Sequence, residues 1–523
     1  MTALVEINDL RVGRQGSATP ELDRFSLTLS AGETVLLLGE TGCGKDAVLR
    51  LLAGSLEQDQ EISGTIRFGE NDPVQAATRP TNPLRVAYVP SAALHPLSPT
   101  APVAQQLTRV IGHKLRCPQG AAREELRTAL ERLAGAPPIG MLDRFPGQLD
   151  NATLCWALLA AATAVTPEIV LCDHSFADIS PLVARTLIGA LLAEQQRLGF
   201  AVLYGGRIPQ AVARLGARTI VLQRGCMIEE GEAARMMSGQ THSYTRSLFH
   251  ALPQPDAGRL NRTSTRSEAL LQVQGLMLQA EKKARNAISF ELRRGASLAL
   301  VGEDGSGRRG MARAIMGLDR RPGRILFDAV DLNLLSEAMT SRLRRRIAFV
   351  TSDDAALDPR MTLWDVIDEP LRVHLKLSRE LTTGYREAAL KRVGLASHDG
   401  RRLTVAALSA FDRRRLQIAR AVVAAPLLVV VDEPLRGLDA VARATIRDLL
   451  AEFRLEQQAA FLVVTADFAV ARALADDAMI FHEGRMIERG PVRELLRAPR
   501  ESATRALIEA ADFGPLSRAA EAV

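Results

Sequence analysis

Gly39-Glu40-Thr41-Gly42-Cys43-Gly44-Lys45-Asp46 is the stretch that decides how this chain folds. An apolar run, Thr34-Val35-Leu36-Leu37-Leu38, precedes it, and a segment of helical character, Ala47-Val48-Leu49-Arg50-Leu51-Leu52-Ala53, follows. Strand, glycine-rich turn and helix start are what a phosphate-binding loop requires. The glycines let backbone N–H groups close around phosphate oxygens, the helix N-terminus adds partial positive charge, and a lysine at the place of Lys45 reaches the terminal phosphates. The pattern G-x-x-x-x-G-K-[ST] is met up to its last position. A hydroxyl there coordinates Mg²⁺, and this chain has Asp46.

The same pattern returns later in the chain. Residues 28–54 and 291–317 align without a gap, pairing Gly32 with Gly295, Gly39 with Gly302, Lys45 with Arg308 and Gly54 with Gly317. Further matches follow in the same order: Gly64-Thr65-Ile66-Arg67-Phe68 with Gly323-Arg324-Ile325-Leu326-Phe327, then the apolar runs ending in Asp173 and Asp432. Each half closes on a glycine-marked hairpin, around Arg224-Gly225 and around Glu483-Gly484. Such ordered correspondence predicts two homologous domains of roughly 250 residues, which is an ordinary domain size. The expected boundaries are 1–252 and 268–523, joined by a linker, 253–267, rich in Pro, Gly, Ser and Thr. In each half early strands flank the loop, a helix-prone middle (101–135 and 361–395) follows, and apolar strands then alternate with helical stretches. That order predicts an α/β fold with a parallel or mixed sheet and an inserted helical region.

Composition narrows the class. At 523 residues, 47% hydrophobic and 24% charged, the chain reads as an ordinary globular protein. Its net charge of +6 is too small for its length to point to nucleic acid, and no nucleic-acid partner is expected. The five cysteines contain no C-x-x-C pair, which fits a reducing compartment. Residues 1–12 carry Glu6 and Asp9 and lack the apolar core of a signal peptide. The longest apolar run, 155–165, falls short of the ~18 residues needed to span a bilayer.

With two such loops and two apolar strands ending in Asp, the chain resembles the ATP-binding subunits of ABC transporters, and more narrowly the tandem ATPases of dipeptide and oligopeptide importers. The narrower likeness rests on Leu357-Asp358-Pro359-Arg360-Met361-Thr362-Leu363, on Glu369-Pro370-Leu371, and on the tail His242-Ser243-Tyr244-Thr245-Arg246-Ser247-Leu248, close to H-P-Y-T-R-x-L. The resemblance implies two P-loop NTPase (ABC-type) nucleotide-binding domains, each with a helical subdomain. It also implies ATP as cofactor, inner-membrane permease subunits and a solute-binding protein as partners, and a place on the cytoplasmic face of that membrane. In this family each ATP is held between one domain's phosphate loop and the other's L-S-G-G-Q signature, and a carboxylate positions the attacking water beside Mg²⁺.

Set against that pattern, both sites are incomplete. The first half offers Gly39, Glu40, Thr41, Gly42, Cys43, Gly44 and Lys45 for phosphate, and Asp173 for Mg²⁺, but Asp46 replaces the hydroxyl and His174 stands where the family has its catalytic Glu. The signature expected opposite it reads Leu408-Ser409-Ala410-Phe411-Asp412, so only Ser409 is kept as a nucleotide contact. The second half offers Gly302, Gly305, Ser306, Gly307 and Arg308, with Asp432 for the metal and Glu433 as catalytic base. Arg308 keeps the charge of lysine on a planar group, and Arg309 removes the metal-ligand hydroxyl. Its opposing signature, Leu149-Asp150-Asn151-Ala152-Thr153, departs at every position after the leucine. The Q-loop glutamine falls on Ser91 and about Ser352, and the switch histidine on Arg207 and Ala466. No aromatic residue precedes Phe25 or lies between Phe249 and Phe290, so the adenine-stacking platform, worth ~1–3 kcal/mol per base, is missing.

The expectation is therefore an importer-type ATP-binding subunit with weak or residual ATP binding, doubtful Mg²⁺ binding, and hydrolysis impaired at both sites. The alternative is a non-hydrolytic scaffold that keeps the fold to bind a permease or another complex. Asp150 and Asp412 read as solvated charges or domain contacts, and the arginine clusters 342–346 and 413–415 as helix faces, not nucleic-acid patches.

Overall fold

The computed structural model describes residues 3–14, 19–57, 59–78, 84–90, 97–176, 179–206, 218–237, 241–250, 268–278, 287–334, 343, 345–353 and 356–511. The linker expected at 253–267, Ser91 and Arg207 lie outside these residues. The two halves of the repeat fold into two compact units.

In the first unit the apolar runs become strands: β1 (Ala3–Arg14), β2 (Leu22–Ser30), β3 (Thr34–Leu38), β4 (Gln60–Phe68), β5 (Val74–Gln75), β6 (Val86–Val89), β7 (Ile169–Asp173), β8 (Ala201–Gly206), β9 (Arg218–Gln223) and β10 (Cys226–Glu232). They form two sheets. One is antiparallel, in the order β2-β1-β4-β5, and the other runs β10-β9-β3-β8-β7-β6, parallel except for the β9–β10 hairpin. Continuous apolar strands suit the centre of such a sheet because both faces are covered. Val35, Leu37, Ile169 and Leu171 pack toward the antiparallel sheet, while Leu36, Leu38, Val170 and Cys172 pack toward the helical part. The helix-prone middle supplies Val103–Leu115 and Gln119–Arg132, which pack on the helix Asn151–Ala164. That last helix holds most of the run at 155–165 and is buried on nearly every side, which explains its unbroken hydrophobicity. Among the described residues no helix is long and apolar enough to cross a membrane.

The second unit repeats this plan with β11 (Ala269–Leu276), β12 (Ile288–Arg293), β13 (Ser297–Gly302), β14 (Arg324–Phe327), β15 (Val330–Asp331), β16 (Ile347–Thr351), β17 (Leu428–Asp432), β18 (Ala460–Thr465), β19 (Asp477–His482) and β20 (Arg485–Pro491). Its sheets have the same orders, β12-β11-β14-β15 and β16-β17-β18-β13-β19-β20. The helical part is built from Leu363–Pro370, Arg379–Arg392 and Ala410–Val422. Both expected hairpins are present. Arg224 and Gly225 (φ 48° and 82°) and Glu483 and Gly484 (φ 46° and 77°) form the left-handed pairs that two-residue hairpins favour.

In each unit the phosphate-type loop leaves the carboxyl end of a central parallel strand, β3 or β13, and that end of an open parallel sheet is where such sheets bind ligands.

Candidate functional site

The loop after β3 keeps its backbone geometry through glycine. Gly44 sits at φ 103° as the cap of the helix Lys45–Leu52, and a Cβ there would lie 2.5 Å from the Glu21 carbonyl oxygen. A Cβ at Gly39 would lie 2.3 Å from the Leu222 carbonyl oxygen. Lys45 is fully buried, and its Nζ donates to the carbonyl oxygens of Glu40 (2.8 Å) and Gly39 (3.4 Å). Cys43 is buried beneath the loop, and burial pushes its thiol up against the pull of Lys45. Thr41 and Gly42 form the exposed tip. The tail helix Ser243–His250 reaches the loop as well, because the Tyr244 hydroxyl accepts from the Glu40 N–H at 3.3 Å.

Asp173 closes β7, and His174 follows it in a left-handed conformation (φ 49°) fixed by its N–H on the Gly205 carbonyl at 2.9 Å. This turn aims His174 back at the loop. The buried imidazole Nε2 stands 3.7 Å from Asp46 Oδ1 and 3.7 Å from Asp173 Oδ1. The other Asp173 oxygen accepts from the Tyr88 hydroxyl at 2.6 Å, and burial followed by that hydrogen bond raises the phenol's pKa. Asp46, Asp173 and His174 thus converge in one cluster. The two carboxylates alone suit a hard divalent cation, but the imidazole between them does not suit Mg²⁺, which takes oxygen ligands in near-ideal octahedral geometry.

The loop after β13 has the same backbone, with Gly305 at φ 83° and Gly307 at φ 97° capping the helix Arg308–Ile315. A Cβ at Gly302 would lie 2.3 Å from the Phe481 carbonyl oxygen, and Ser306 is buried as Cys43 is. The side chains differ. Arg308 is 1% exposed and donates through Nη2 to Glu433 Oε1 at 2.7 Å and to Asp304 Oδ1 at 2.8 Å. Glu433 has the same left-handed turn as His174 (φ 48°, N–H on the Val464 carbonyl at 2.8 Å). Its carboxylate also accepts from Ala466 N at 2.8 Å and Thr465 Oγ1 at 3.1 Å. Three of its roughly four lone-pair sites are therefore engaged. Arg309 Nε lies 3.3 Å from Asp432 Oδ1, and Arg436 lies 3.3 Å from Asp304. Burial raises the Asp432 carboxyl despite Arg309 beside it. Burial also pushes Asp304 up, but Arg436, Arg308 and Arg309 outweigh it and hold that carboxyl below its ordinary range. A guanidinium on Asp432, the residue expected to hold the metal, does not fit Mg²⁺.

The signature segments serve their own helices. Ser409 Oγ accepts from the Asp412 N–H at 3.1 Å as the cap of Ala410–Val422, and Asp150 accepts from Thr153 N at 2.7 Å as the cap of Asn151–Ala164. Asp150 is exposed, as a solvated charge would be, and it also caps its helix; Asp412 is half-buried and pairs with Ser409 and, at 2.9 Å, with Arg415. Residues 413–415 lie on the helix Ala410–Val422, and one of them faces inward. Arg414 is 4% exposed and donates to the Glu433 and Pro434 carbonyls, because it lies on the inward side of its helix. Ser352, at the Q-loop position, donates its N–H to the Asp432 carbonyl at 3.0 Å. Phe25 and Phe290 are buried in the cores and offer no stacking face.

Sequence reasoning missed Tyr88 and Thr465. Tyr88 aligns with Phe349 on β16, and a phenol replacing a phenyl beside the strand that ends in Asp173 is the signal that could have found it. Thr465 precedes the vacant switch position and was readable only as part of a strand.

Two stretches, 22–177 and 285–436, match the model of the family described as ABC transporter, and together they exceed half of the chain. The chain is 30% identical over 533 residues to the uncharacterized ABC transporter ATP-binding protein YejF of Escherichia coli (strain K12), covering 97% of this chain and 99% of that one. It is 28% identical over 559 residues to the glutathione import ATP-binding protein GsiA of Salmonella typhi, covering 96% and 88%. It is 29% identical over 535 residues to the peptidoglycan transport ATP-binding protein YejF of Agrobacterium fabrum, covering 97% and 96%. With its repeated strand order and its two phosphate-type loops, the chain belongs to the ABC transporter family, as an ATP-binding protein with tandem ABC domains.

Proposed function

We propose that this chain is the ATP-binding subunit of an ABC importer for peptides or similar solutes, with ATP hydrolysis impaired at both of its sites. Relatives named for glutathione import and peptidoglycan transport support the solute class. In this reading residues 1–252 and 268–523 are the two nucleotide-binding domains, and the chain works on the cytoplasmic face of the inner membrane with permease subunits and, through them, a solute-binding protein.

The observation behind impaired hydrolysis is the buried Arg308–Glu433 pair at 2.7 Å. Glu433 is the one family-type catalytic carboxylate in the chain. Freeing it to orient water means breaking a pair whose disruption costs about 3–5 kcal/mol, while Arg309 already occupies Asp432. In the first half Lys45 and its glycines can still hold phosphate, but His174 replaces the carboxylate.

The test is ATPase activity of the full chain beside Glu433→Gln and Lys45→Ala, with equilibrium ATP binding measured with and without Mg²⁺. The expected result is turnover at background in all three proteins, and weak ATP binding insensitive to Mg²⁺. Turnover that either substitution abolishes overturns the reading. The same network suits a non-hydrolytic scaffold. Permease and solute-binding genes beside this one favour the importer, and a gene set among unrelated enzymes favours the scaffold.

A further inference from the structure

The first unit gathers three side chains, of which the phosphate-loop reading uses only Asp173. Asp46 comes from the first turn of the helix Lys45–Leu52, Asp173 from the end of β7, and His174 from the strained turn that follows. Their ligand atoms all lie within 4.8 Å of one another, two of the three separations have His174 Nε2 at 3.7 Å from a carboxylate oxygen, and His174 is 5% exposed. We propose that Asp46, Asp173 and His174 bind a divalent transition-metal ion, Zn²⁺ or a close relative, without nucleotide.

The geometry is near what such an ion needs. Tetrahedral Zn²⁺ with N and O ligands at roughly 2.0–2.2 Å places its donors roughly 3.4 Å apart. The two edges at 3.7 Å close by a few tenths of an ångström, and the third closes by rotation of the Asp46 side chain, which is 41% exposed. Two carboxylates near one imidazole form a mixed N/O set that favours Zn²⁺, Fe²⁺ or Co²⁺, whereas Mg²⁺ and Ca²⁺ take oxygen-only shells. Asp173 is oriented as metal-bound carboxylates usually are: its Oδ2 accepts from Tyr88 at 2.6 Å, and Oδ1 faces His174. The Lys45 ammonium, one residue before Asp46, is held by the Gly39 and Glu40 carbonyls. The family's Mg²⁺ is shared with the phosphates of ATP. The ion here is held by three side chains and leaves a coordination position for water or a phosphate oxygen. Occupied, the site ties the phosphate-loop helix to the end of β7 with no nucleotide present. The replacements Asp46 and His174, each a defect for ATP hydrolysis, become two parts of one ligand set.

The test uses the full chain without a polyhistidine tag, stripped with EDTA and titrated calorimetrically with Zn²⁺ and separately with Mg²⁺, with no nucleotide. Omitting nucleotide makes the outcome independent of whether ATP is turned over. Co²⁺ is added in parallel to read the donors from its visible spectrum. The expected result is one Zn²⁺ per chain, Mg²⁺ binding at least tenfold weaker, and a Co²⁺ spectrum with no thiolate charge-transfer band. His174→Ala and Asp46→Ser each weaken Zn²⁺ at least tenfold, a loss in the range ligand-shell changes produce. His113→Ala, on the helix Val103–Leu115, and Cys226→Ser, at the exposed thiol, leave it unchanged. Asp46→Ser restores the family hydroxyl at a partly exposed position and keeps the test decisive if His174→Ala does not fold. Absent Zn²⁺ binding, binding that survives Asp46→Ser, a thiolate band, or equal affinity for Mg²⁺ each overturns the proposal.

Discussion

At the scale of the residue, the two halves show how one position acquires opposite roles. His174 and Glu433 occupy the same left-handed turn after equivalent strands, held by equivalent backbone hydrogen bonds at 2.9 and 2.8 Å. Each side chain is therefore aimed at its phosphate loop. In the second half it meets Arg308, which is longer than lysine, and the resulting pair is buried on both sides, at 1% and 6% side-chain exposure. A buried pair contributes little against a hydrophobic replacement, but removing one partner strands the other. Glu433→Gln keeps the shape and, with its amide oxygen at the Oε1 position, the bond from Ala466 N, but the NH2 at the Oε2 position no longer accepts from Thr465, and Arg308 is left with Asp304 as its one carboxylate partner among these contacts. It is expected to cost the second unit about 3 kcal/mol in urea unfolding. The double variant Arg308→Met/Glu433→Gln is expected to cost less than the sum of its singles, since the stranded charge is gone. A single-variant loss below about 0.5 kcal/mol, in the range of ordinary surface changes, means the pair does not hold this site together.

At the scale of the element, the phosphate-type loops are preserved far better than the chemistry around them, and glycine shows why. Gly42 and Gly44 both have positive φ, at 79° and 103°. A Cβ on Gly42 meets nothing within 4 Å, so Gly42→Ala faces only the backbone cost of about 1 kcal/mol. A Cβ on Gly44 meets the Glu21 carbonyl oxygen at 2.5 Å and Leu22 at 2.9 Å, so Gly44→Ala must also displace β2. Thermal unfolding is expected to show Gly44→Ala at least twice as costly as Gly42→Ala, and equal losses would mean that the close approach to β2 is not a constraint. This layer was legible in the sequence, because the glycine spacing, the apolar strands and the hairpin turns each carry a local geometric requirement. The caps were not. The capping role of exposed Asp150 and the pairing of Asp412 could not be read, because a capping carboxylate and a surface carboxylate are the same residue until the helix start is known. The inward place of Arg414 was illegible for a related reason: an arginine run says nothing of which member faces the carbonyls of Glu433 and Pro434. Tyr88 escaped because its contact with Asp173 crosses two strands far apart in sequence.

At the scale of the whole molecule, the two halves repeat one sheet order and depart from the family's motifs at different positions. The first keeps Lys45 and loses the carboxylate after Asp173. The second keeps Glu433 and fills its own loop with arginine. The repeat made the fold readable, since each half could be checked against the other, but only side-chain geometry shows that Arg308 spans from the loop to Glu433. This asymmetry has a measurable consequence, because the chain has two tryptophans, one in each unit. Trp156 is buried in the helix Asn151–Ala164, and Trp364 lies between Arg386 and Arg401, whose guanidinium carbons are 3.9 and 4.8 Å from its ring centroid. Trp364→Phe leaves a reporter of the first unit, and Trp156→Phe leaves a reporter of the second. A ligand stabilises the state that binds it by RT ln(1 + [L]/Kd), about 1.4 kcal/mol at ten times the dissociation constant. Only the first loop has its lysine held by backbone carbonyls that phosphate oxygens can replace; the second must first break a buried ion pair. ATP is therefore expected to raise the unfolding midpoint reported by Trp156 and to leave that reported by Trp364 where it was. An equal or larger rise at Trp364 would place the nucleotide on the second loop, and the Arg308–Glu433 pair would then be a contact that ATP displaces at little cost.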